Sequence, residues 1–238
     1  MASGRRPSTL ESYSQSLDWL VAAMDDKPLR KITPSDLDEI ILFLTRDPTT
    51  ARTRSGSTLN RIKSVYRSFF GWCHATDRIA KNPSVLLCLS KTEAIHTAPI
   101  TKGEVDLLFN AIQDSGERLA YRDMTLFAIY AYTGIRRSEA LALRITDYSP
   151  DTGTLHLPET KGGRRSARYV PVPLARILDD YIRQIAKTDS QKSDMPLFPG
   201  RKPIASLTSR QVHLRFEYWK LKVSLRPELT IHSFRAGF

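Results

Sequence analysis

Short amphipathic segments that follow helix-capping signatures dominate this sequence and fix the class of fold it can adopt. Ser8-Thr9-Leu10-Glu11, Thr33-Pro34-Ser35-Asp36 and Thr101-Lys102-Gly103-Glu104 each place a hydroxyl residue three positions before an acid. At a helix N-terminus such a hydroxyl accepts a backbone hydrogen bond from the third residue, whose carboxylate accepts one in return. Apolar residues spaced by three and four follow each signature, which predicts helices with one buried face. The chain is therefore expected to be mainly helical.

The N-terminal part of the sequence is predicted to form three helices. Their apolar positions are Leu10, Tyr13, Leu17, Leu20 and Met24 in the first, Leu37, Ile40, Ile41 and Leu44 in the second, and Leu59, Ile62, Tyr66, Phe69, Phe70 and Cys73 in the third, which is expected to begin after Gly56-Ser57. Asn82-Pro83 then breaks the pattern, and a polar segment runs up to Pro99. We predict one domain over 1–88, a linker over 89–98 and a second domain over 99–238.

The second domain is predicted to combine helices with a β-hairpin. A helix is expected after Thr101, and a largely apolar helix is expected to end at Gly134, where the chain turns before it resumes helically with Leu141 and Leu143. Alternating Leu155 and Leu157, and then Tyr169, Val170 and Val172, flank a basic turn that contains glycine, which is typical of a hairpin. Helical signals resume at Leu174, and Thr208-Ser209-Arg210 opens a segment that carries Val212, Leu214 and Phe216. The predicted fold class is thus mainly α with a small β-hairpin or sheet, in two domains.

The charge balance of the chain indicates a polyanionic partner. The 238 residues carry a formal net charge of +11, with a sequence pI near 9.8, and their 41% hydrophobic content is that of a globular protein. Basic surface binds phosphate backbones by releasing counterions, so double-stranded DNA is the expected partner and an anionic membrane the weaker alternative.

Neither a membrane segment nor a metal site is predicted. No run of about 18 apolar residues occurs, and the start MASGRRPSTL lacks the apolar stretch of a secretory signal. We expect a soluble, cytoplasmic, nucleoid-associated protein. Cys73 and Cys88 have no metal-binding spacing, so we expect free thiols, no metal and no cofactor.

Two basic stretches are predicted to contact DNA. The first consists of Arg52, Arg54, Arg61, Lys63 and Arg67, and the second of Lys161, Arg164, Arg165 and Arg168. They lie on either side of the predicted linker, which suggests that the two domains clamp opposite faces of a duplex. The alternative for the first stretch is an ordinary solvated helix face.

Three further stretches carry groups suited to binding one anion. His232 and Arg235 are three residues apart and share one face of a helix or turn. Arg136 and Arg137 lie in the turn after Gly134, with Glu139 close enough in sequence to orient one guanidinium. Lys161 lies at the tip of the predicted hairpin, where a long flexible ammonium can swing over a ligand.

These stretches resemble the ordered motifs of the tyrosine recombinase family, also called phage integrases. The motifs are Arg122-Asp123, Tyr-Thr-Gly-x-Arg-x-Ser-Glu over 132–139 with Leu143 and Asp147 beyond, a lysine hairpin that leads into Val-Pro-Val-Pro over 170–173, and His-x-x-Arg over 232–235. Thr9, Tyr13 and Leu17, and later Ile79 with Asn82-Pro83, are similar to the family's helical core-binding domain. The resemblance covers essentially the whole chain and implies an N-terminal core-binding domain and a C-terminal α+β catalytic domain.

The resemblance implies site-specific DNA recombination, as in the integration or excision of mobile elements. In that reaction a tyrosine hydroxyl attacks a DNA phosphodiester without a metal ion, forms a 3′-phosphotyrosyl link and releases a 5′-hydroxyl. The resemblance assigns Arg136 and Arg235 to the charge on the non-bridging oxygens. It makes Lys161 the general acid, His232 a base or phosphate donor, and Glu139 a supporting residue behind Arg136.

Alternatives stay open at each position. Arg137 competes with Arg136, although the spacing from Thr133-Gly134 favours Arg136. Lys161 competes with Arg164, Arg165 and Arg168 in the same turn. His232 has a structural alternative, and Glu139 has the alternative of pairing on its own helix. Ala236 replaces the commoner His or Arg after the motif arginine.

The end of the sequence leads to a further expectation. In the family the nucleophilic tyrosine lies on a helix after His-x-x-Arg, whereas all nine tyrosines of this sequence precede His232 and the sequence stops at Phe238. The chain is thus an enzyme by family that is predicted to be unable to cleave DNA alone.

We expect a truncated recombinase, which would be a tetramer on paired sites when full length and a monomer in free solution. The alternative is a catalytically inactive relative that occupies or regulates recombination sites. A type IB topoisomerase fits worse, because the N-terminal helices and the Val-Pro-Val-Pro hairpin resemble integrases.

Overall fold

A computed structural model of the protein describes residues 7–46, 52–92, 96–158, 166–188, 195–200 and 205–237. By backbone contacts the chain divides into unit 1, Met1–Ala94, and unit 2, Ile95–Phe238. The division falls inside the segment predicted as a linker. Each unit has its own hydrophobic core.

Unit 1 contains the helices α1, α2 and α3, which span Pro7–Met24, Pro34–Phe43 and Gly56–Ala75. The three predicted helices are thus confirmed, and the reciprocal Thr33–Asp36 cap is present at α2. The prediction that Ser8 caps α1 is wrong, because α1 already includes Pro7 and Ser8. A proline is well suited to the first turn of a helix, where its missing N–H is not needed.

The core of unit 1 forms where the apolar stripes of the three helices meet. Its buried members are Leu20, Leu37, Ile40, Leu44, Ile62, Val65, Tyr66, Phe70, Cys73, Ile79 and Leu87. Leu10, which the spacing predicts to lie in the apolar stripe of α1, is instead 38% exposed. The basic positions of α3 point away from this core, and Arg61 and Arg67 are exposed.

Unit 2 is built around a central helix. Its first helices are α4, Lys102–Asp114, α5, Ala120–Thr133, and α6, Arg137–Ala142. Residues 125–130 of α5 are all buried, because α5 is covered by α4, α7 and α9. The later helices are α7, Val172–Thr188, α8, Ser209–Lys222, and α9, Ile231–Ala236.

A small antiparallel sheet lies between α6 and α7 in the chain. Its strands β1, Tyr148–Ser149, β2, Thr154–Leu157, and β3, Ser166–Tyr169, are adjacent in that order. Leu155 faces Arg168 across the β2–β3 pair, and Leu157 faces Ser166. The predicted hairpin is therefore confirmed, although Val172, which was predicted to flank its turn, instead begins α7. Strand β1 adds a strand that the sequence analysis did not predict. The fold class, mainly helical with a small sheet, is confirmed.

The cap of α4 also binds a distant loop. Glu104 accepts hydrogen bonds from the Thr101 backbone at 2.8 Å and from the Arg226 guanidinium at 2.7 and 3.0 Å. Arg226 lies between α8 and α9 and also donates to the Pro99 carbonyl at 2.8 Å. The Arg226 hydrogen bond, together with the capping bonds from Thr101, outweighs desolvation and lowers the pKa of Glu104 to about 2.

Because the pKa of Glu104 is lower in the folded chain than in the unfolded chain, its contribution to stability is present above about pH 4.5 and is lost as the pH falls towards 2. We expect Glu104→Gln, which keeps the cap but removes the charge, to reduce the free energy of unfolding at pH 7 and to matter less at pH 3. Urea unfolding at the two pH values measures this. Asp106→Asn, at an exposed position of α4, is the control, and an equal deficit for Glu104→Gln at both pH values would contradict the prediction.

Candidate active site

The turn between α5 and α6 carries the first half of the candidate site. Gly134 ends α5 in the left-handed conformation, with φ +57°, which glycine adopts without a steric penalty. The chain then reverses, so that Arg136 occupies the position just before the first residue of α6. This geometry places the Arg136 side chain at the surface, where 61% of it is exposed.

The Glu139 carboxylate binds both the backbone N–H and the guanidinium group of Arg136. One carboxylate oxygen accepts the Arg136 backbone N–H at 2.7 Å, and the other accepts a guanidinium N–H at 2.9 Å. Burial raises the pKa of Glu139, but the hydrogen bonds from Arg136 and the charges of Arg136 and Arg235 lower it further, so that the net shift is downward. The charged Glu139 carboxylate thus orients Arg136, and the positive charge of Arg235 also lowers its pKa.

Helix α9 carries the second half of the site. His232 and Arg235 are exposed, whereas the residues Ile231, Ser233 and Phe234 are buried. Phe234 packs against Phe127 and Tyr130 of α5 with ring centroids 6.1 and 6.2 Å away. The two polar side chains of the motif are therefore presented to solvent by the residues between and beside them.

Arg235 joins the two halves of the site. Its guanidinium donates to the Gly134 carbonyl at 2.5 Å, although the two residues are 101 positions apart in the chain. Arg136 and Arg235 are therefore both held by hydrogen bonds to residues of the segment Gly134–Glu139. Two exposed guanidinium groups held in this way form an arrangement that can bind a tetrahedral or five-coordinate phosphate group bidentately.

Close backbone packing holds α9 against the start of unit 2. The Ile100 backbone N–H donates to the Ser233 carbonyl at 3.1 Å. A Cβ atom at Gly237 would lie 2.7 Å from the Ile100 carbonyl oxygen, so only glycine permits this approach.

A buried carboxylate that sequence reasoning noted only as part of a motif holds α8 to α5. Asp123 is fully buried and accepts from Arg122 at 3.0 Å, from Arg215 at 2.6 Å and from the Trp219 indole at 2.9 Å. Arg215 and Trp219 lie 92 and 96 positions away, so no local pattern could reveal these contacts.

Among the described residues, no group of three or more His, Cys, Asp and Glu side chains is placed to hold a metal ion.

The other predicted site residues have varied surroundings. Lys161, Arg164 and Arg165 lie outside the described residues. Arg168 is on β3 and donates to the neighbouring Ala167 carbonyl at 3.1 Å. Arg137, which follows Arg136 in the chain, is half-buried. Its positive charge lowers the pKa of the Tyr130 phenol, but burial raises that pKa by more.

The predicted DNA contacts of unit 1 also differ among themselves. Arg54 stacks 4.4 Å above the Trp19 ring and donates to the Leu44 carbonyl at 3.0 Å, which gives it a structural role. Arg61 donates to the Ser12 hydroxyl at 2.6 Å, and Lys63 to the Cys88 carbonyl at 2.9 Å. Arg52 and Arg67 are exposed. DNA contact by these side chains stays a prediction.

Comparison with known proteins places this chain in a family. The model of the phage integrase family matches residues 98–238. The tyrosine recombinase XerC of Chromobacterium violaceum is 28% identical over 236 residues, which are 99% of this chain and 75% of that protein. XerC of Xanthomonas campestris pv. campestris is 25% identical over 97% of this chain and 68% of its own length.

Solved structures agree with this assignment at the level of the fold. A fragment of the Tn1549 transposon integrase in complex with transposon right end DNA has a TM-score of 0.77 at 17% identity and covers 100% of this chain and 81% of its own. A lambda integrase tetramer bound to a Holliday junction has a TM-score of 0.73 at 17% identity, over 98% of this chain and 66% of its own. The chain belongs to the phage integrase family of tyrosine recombinases. Within the described residues, no helix is both long enough and apolar enough to cross a membrane.

We expect Asp123→Asn to destabilise unit 2 by about 3 kcal/mol, because it leaves the partly buried charges of Arg122 and Arg215 without their full counter-charge. Chemical unfolding followed by tryptophan fluorescence measures this, since Trp219 shares the Asp123 carboxylate. Asp114→Asn, at the exposed last residue of α4, is the control. Equal stabilities of the two variants would show that Asp123 does not anchor α8.

Proposed function

We propose that this chain binds double-stranded DNA and forms the phosphate-binding part of a site-specific recombinase. The observation that carries the proposal is the junction of Arg136 and Arg235 around Gly134 and Glu139. The two guanidinium groups are exposed, oriented by the protein and contributed by segments far apart in sequence. We infer the type of reaction from family membership, because the similar proteins are tyrosine recombinases.

In the proposed reaction, a tyrosine oxygen attacks the phosphorus of a phosphodiester. A new oxygen–phosphorus bond forms to the 3′-phosphate while the bond to the 5′-oxygen breaks. Arg136 and Arg235 bind the non-bridging oxygens, whose negative charge increases as phosphorus becomes five-coordinate. His232 binds the phosphate or accepts the tyrosine proton, and Lys161 gives a proton to the departing 5′-oxygen. Glu139 holds Arg136 in place.

Residues 1–238 contain no tyrosine at the place where the family resemblance puts the nucleophile, which is after His232. Every tyrosine of the sequence precedes His232. Tyr66, Tyr130 and Tyr181 are moreover buried, and burial raises the pKa of their phenols, which disfavours the phenolate. We therefore propose that the 238-residue polypeptide holds DNA phosphate without forming a covalent bond to it.

The DNA partner is proposed from the charge distribution of both units. We propose that the exposed Arg52 and Arg67 of unit 1 and, separately, the basic residues predicted for the hairpin of unit 2 bind further phosphates of the DNA backbone. Each side chain that neutralises a phosphate releases counterions, so the affinity is expected to fall as salt rises. The DNA-bound integrases of similar fold support a duplex partner, and the lambda integrase tetramer supports assembly on paired sites.

We expect the logarithm of the affinity for a random-sequence 40-base-pair duplex to fall linearly with the logarithm of the salt concentration. Arg67→Ala and Arg235→Ala should each reduce the slope by about 0.9, because each removes one phosphate contact. Fluorescence anisotropy at several salt concentrations measures the slopes. Lys81→Ala, at an exposed position of unit 1, is the control. Binding by the wild-type chain that does not depend on salt would overturn the proposed electrostatic clamp.

We expect the 238-residue polypeptide to form no covalent adduct with a nicked duplex that traps cleaved intermediates. The reason is the absence of a tyrosine after His232 in this sequence. Denaturing electrophoresis with labelled DNA measures the adduct. A cleavage-competent tyrosine recombinase on its own site serves as the positive control. A shifted protein–DNA band for the polypeptide that is sensitive to protease would contradict the prediction and direct attention to its internal tyrosines.

A further inference from the structure

Lys220 is a buried cation outside the motifs that define the family. It lies on α8, and only 7% of the residue is exposed. Its ammonium donates to the Pro227 carbonyl at 3.0 Å and to the Leu229 carbonyl at 3.2 Å, and it pairs with the Glu217 carboxylate at 2.8 Å. An ammonium has three N–H donors, so each of them has an acceptor here. A buried charge is tolerated because it is paired in this way.

The two carbonyls belong to the loop that joins α8 to α9. This loop, residues 223–230, passes over unit 2 with Leu225 and Leu229 buried beneath it. Lys220 holds the loop from α8, and Arg226 ties it to Glu104 and to the Pro99 carbonyl. The loop is therefore fastened at two points that lie on different elements of unit 2.

The loop determines where α9 begins. Leu229 immediately precedes Thr230, whose hydroxyl accepts the backbone N–H of His232 at 3.2 Å. The Thr230 backbone N–H in turn donates to the Ser233 hydroxyl at 2.9 Å. The carbonyl that Lys220 binds is thus one residue before the cap of the helix that presents His232 and Arg235.

We propose that Lys220 is a positioning residue for the candidate active site. Its ammonium fixes the Pro227 and Leu229 carbonyls and thereby the first turn of α9, so that His232 and Arg235 face the same phosphate as Arg136. The functional half of this proposal rests on the proposed function, because it requires these three side chains to bind phosphate. The structural half, the control of α9 by Lys220, stands by itself.

The packing of α9 predicts that loss of the ammonium has a local effect. Phe234 remains in contact with Phe127 and Phe216, whose ring centroids lie 6.1 and 5.8 Å away, and it holds the helix to the core. The start of α9 is capped by Thr230, the last residue of the loop, so the orientation of this end depends on the loop more than that of Phe234 does. Without Lys220 the helix stays attached, while its first turn and the His232 side chain are no longer confined to one orientation.

The test uses Lys220→Met, which keeps most of the apolar stem and removes the three donors. Lys222→Met is the matched control, because Lys222 is on the same helix, is 41% exposed in its side chain and binds Glu117 instead of the loop. Lys220→Arg is a second variant. It keeps the charge, but its planar fork cannot reproduce the ammonium's three bonds.

Two measurements separate the structural from the functional half. Hydrogen exchange followed by mass spectrometry reports on the amides of 230–237 and of the rest of unit 2. Titration with inorganic phosphate, observed through the imidazole resonances of His232, reports on the site without any knowledge of the DNA sequence. We expect faster exchange confined to the 223–237 segment and a phosphate dissociation constant raised about tenfold, as for the loss of one well-oriented charged contact. Lys222→Met should change neither.

Three outcomes would overturn the proposal. Unchanged exchange and unchanged phosphate affinity would show that α9 does not depend on Lys220. Faster exchange throughout unit 2 would make Lys220 a general contributor to stability. Local loosening with an unchanged dissociation constant would show that the loop does not control the site. If Lys220→Met does not fold, Lys220→Arg gives the same three comparisons.

Failure of the proposed function would have a different signature. In that case the wild-type chain would bind neither the random duplex nor inorganic phosphate at His232. Local loosening in Lys220→Met would then still support control of α9 by Lys220, and its absence would reject that control as well. The two proposals therefore fail separately.

Discussion

The packing of Phe234 against α5 and α8 is the contact on which the candidate site depends. Phe127, Phe216 and Tyr130 form an aromatic surface whose ring centroids lie 5.8 to 6.2 Å from that of Phe234. Offset and edge-on aromatic pairs of this kind stabilise beyond their buried area. Since Phe234 stands between His232 and Arg235 in sequence, its burial forces both neighbours of the motif towards solvent. One face of α9 thus packs into the hydrophobic core, and its other face carries the polar side chains of the candidate site.

The site is assembled from segments that are distant in the chain and close in the fold. Gly134 allows the turn that presents Arg136, and its carbonyl receives Arg235 from α9. Buried polar groups hold the helices of unit 2 in their relative positions. Asp123 holds α8 to α5, and Lys220 extends that order from α8 into the loop before α9. Two buried charged residues outside the predicted site thus connect the helices of unit 2 that carry or support it.

The sequence predicted most helices and part of the site, for identifiable physical reasons. Capping signatures and apolar spacing are local, so α2, α4 and the end of α5 at Gly134 follow directly from them. The pairing of Arg136 with Glu139 is local too, since the residues are three positions apart. Contacts such as Arg215 with Asp123, or Lys220 with the loop carbonyls, depend on how helices pack and leave no periodic signal in the sequence. The hydroxyl of Ser8 resembles a cap but lies within α1, because a capping pattern can also occur inside a helix.

The anchoring of Arg136 and Arg235 within the protein has a consequence for the thermodynamics of ligand binding. Arginine side chains lose considerable rotational freedom when they are immobilised, and that loss normally opposes association. Here Glu139 and the Gly134 carbonyl already restrict the two side chains in the folded chain. Part of the entropic penalty is therefore met during folding rather than at the moment of contact. For the proposed phosphate ligand, this restraint would leave a larger share of the gross interaction energy as net affinity than two freely rotating arginines would.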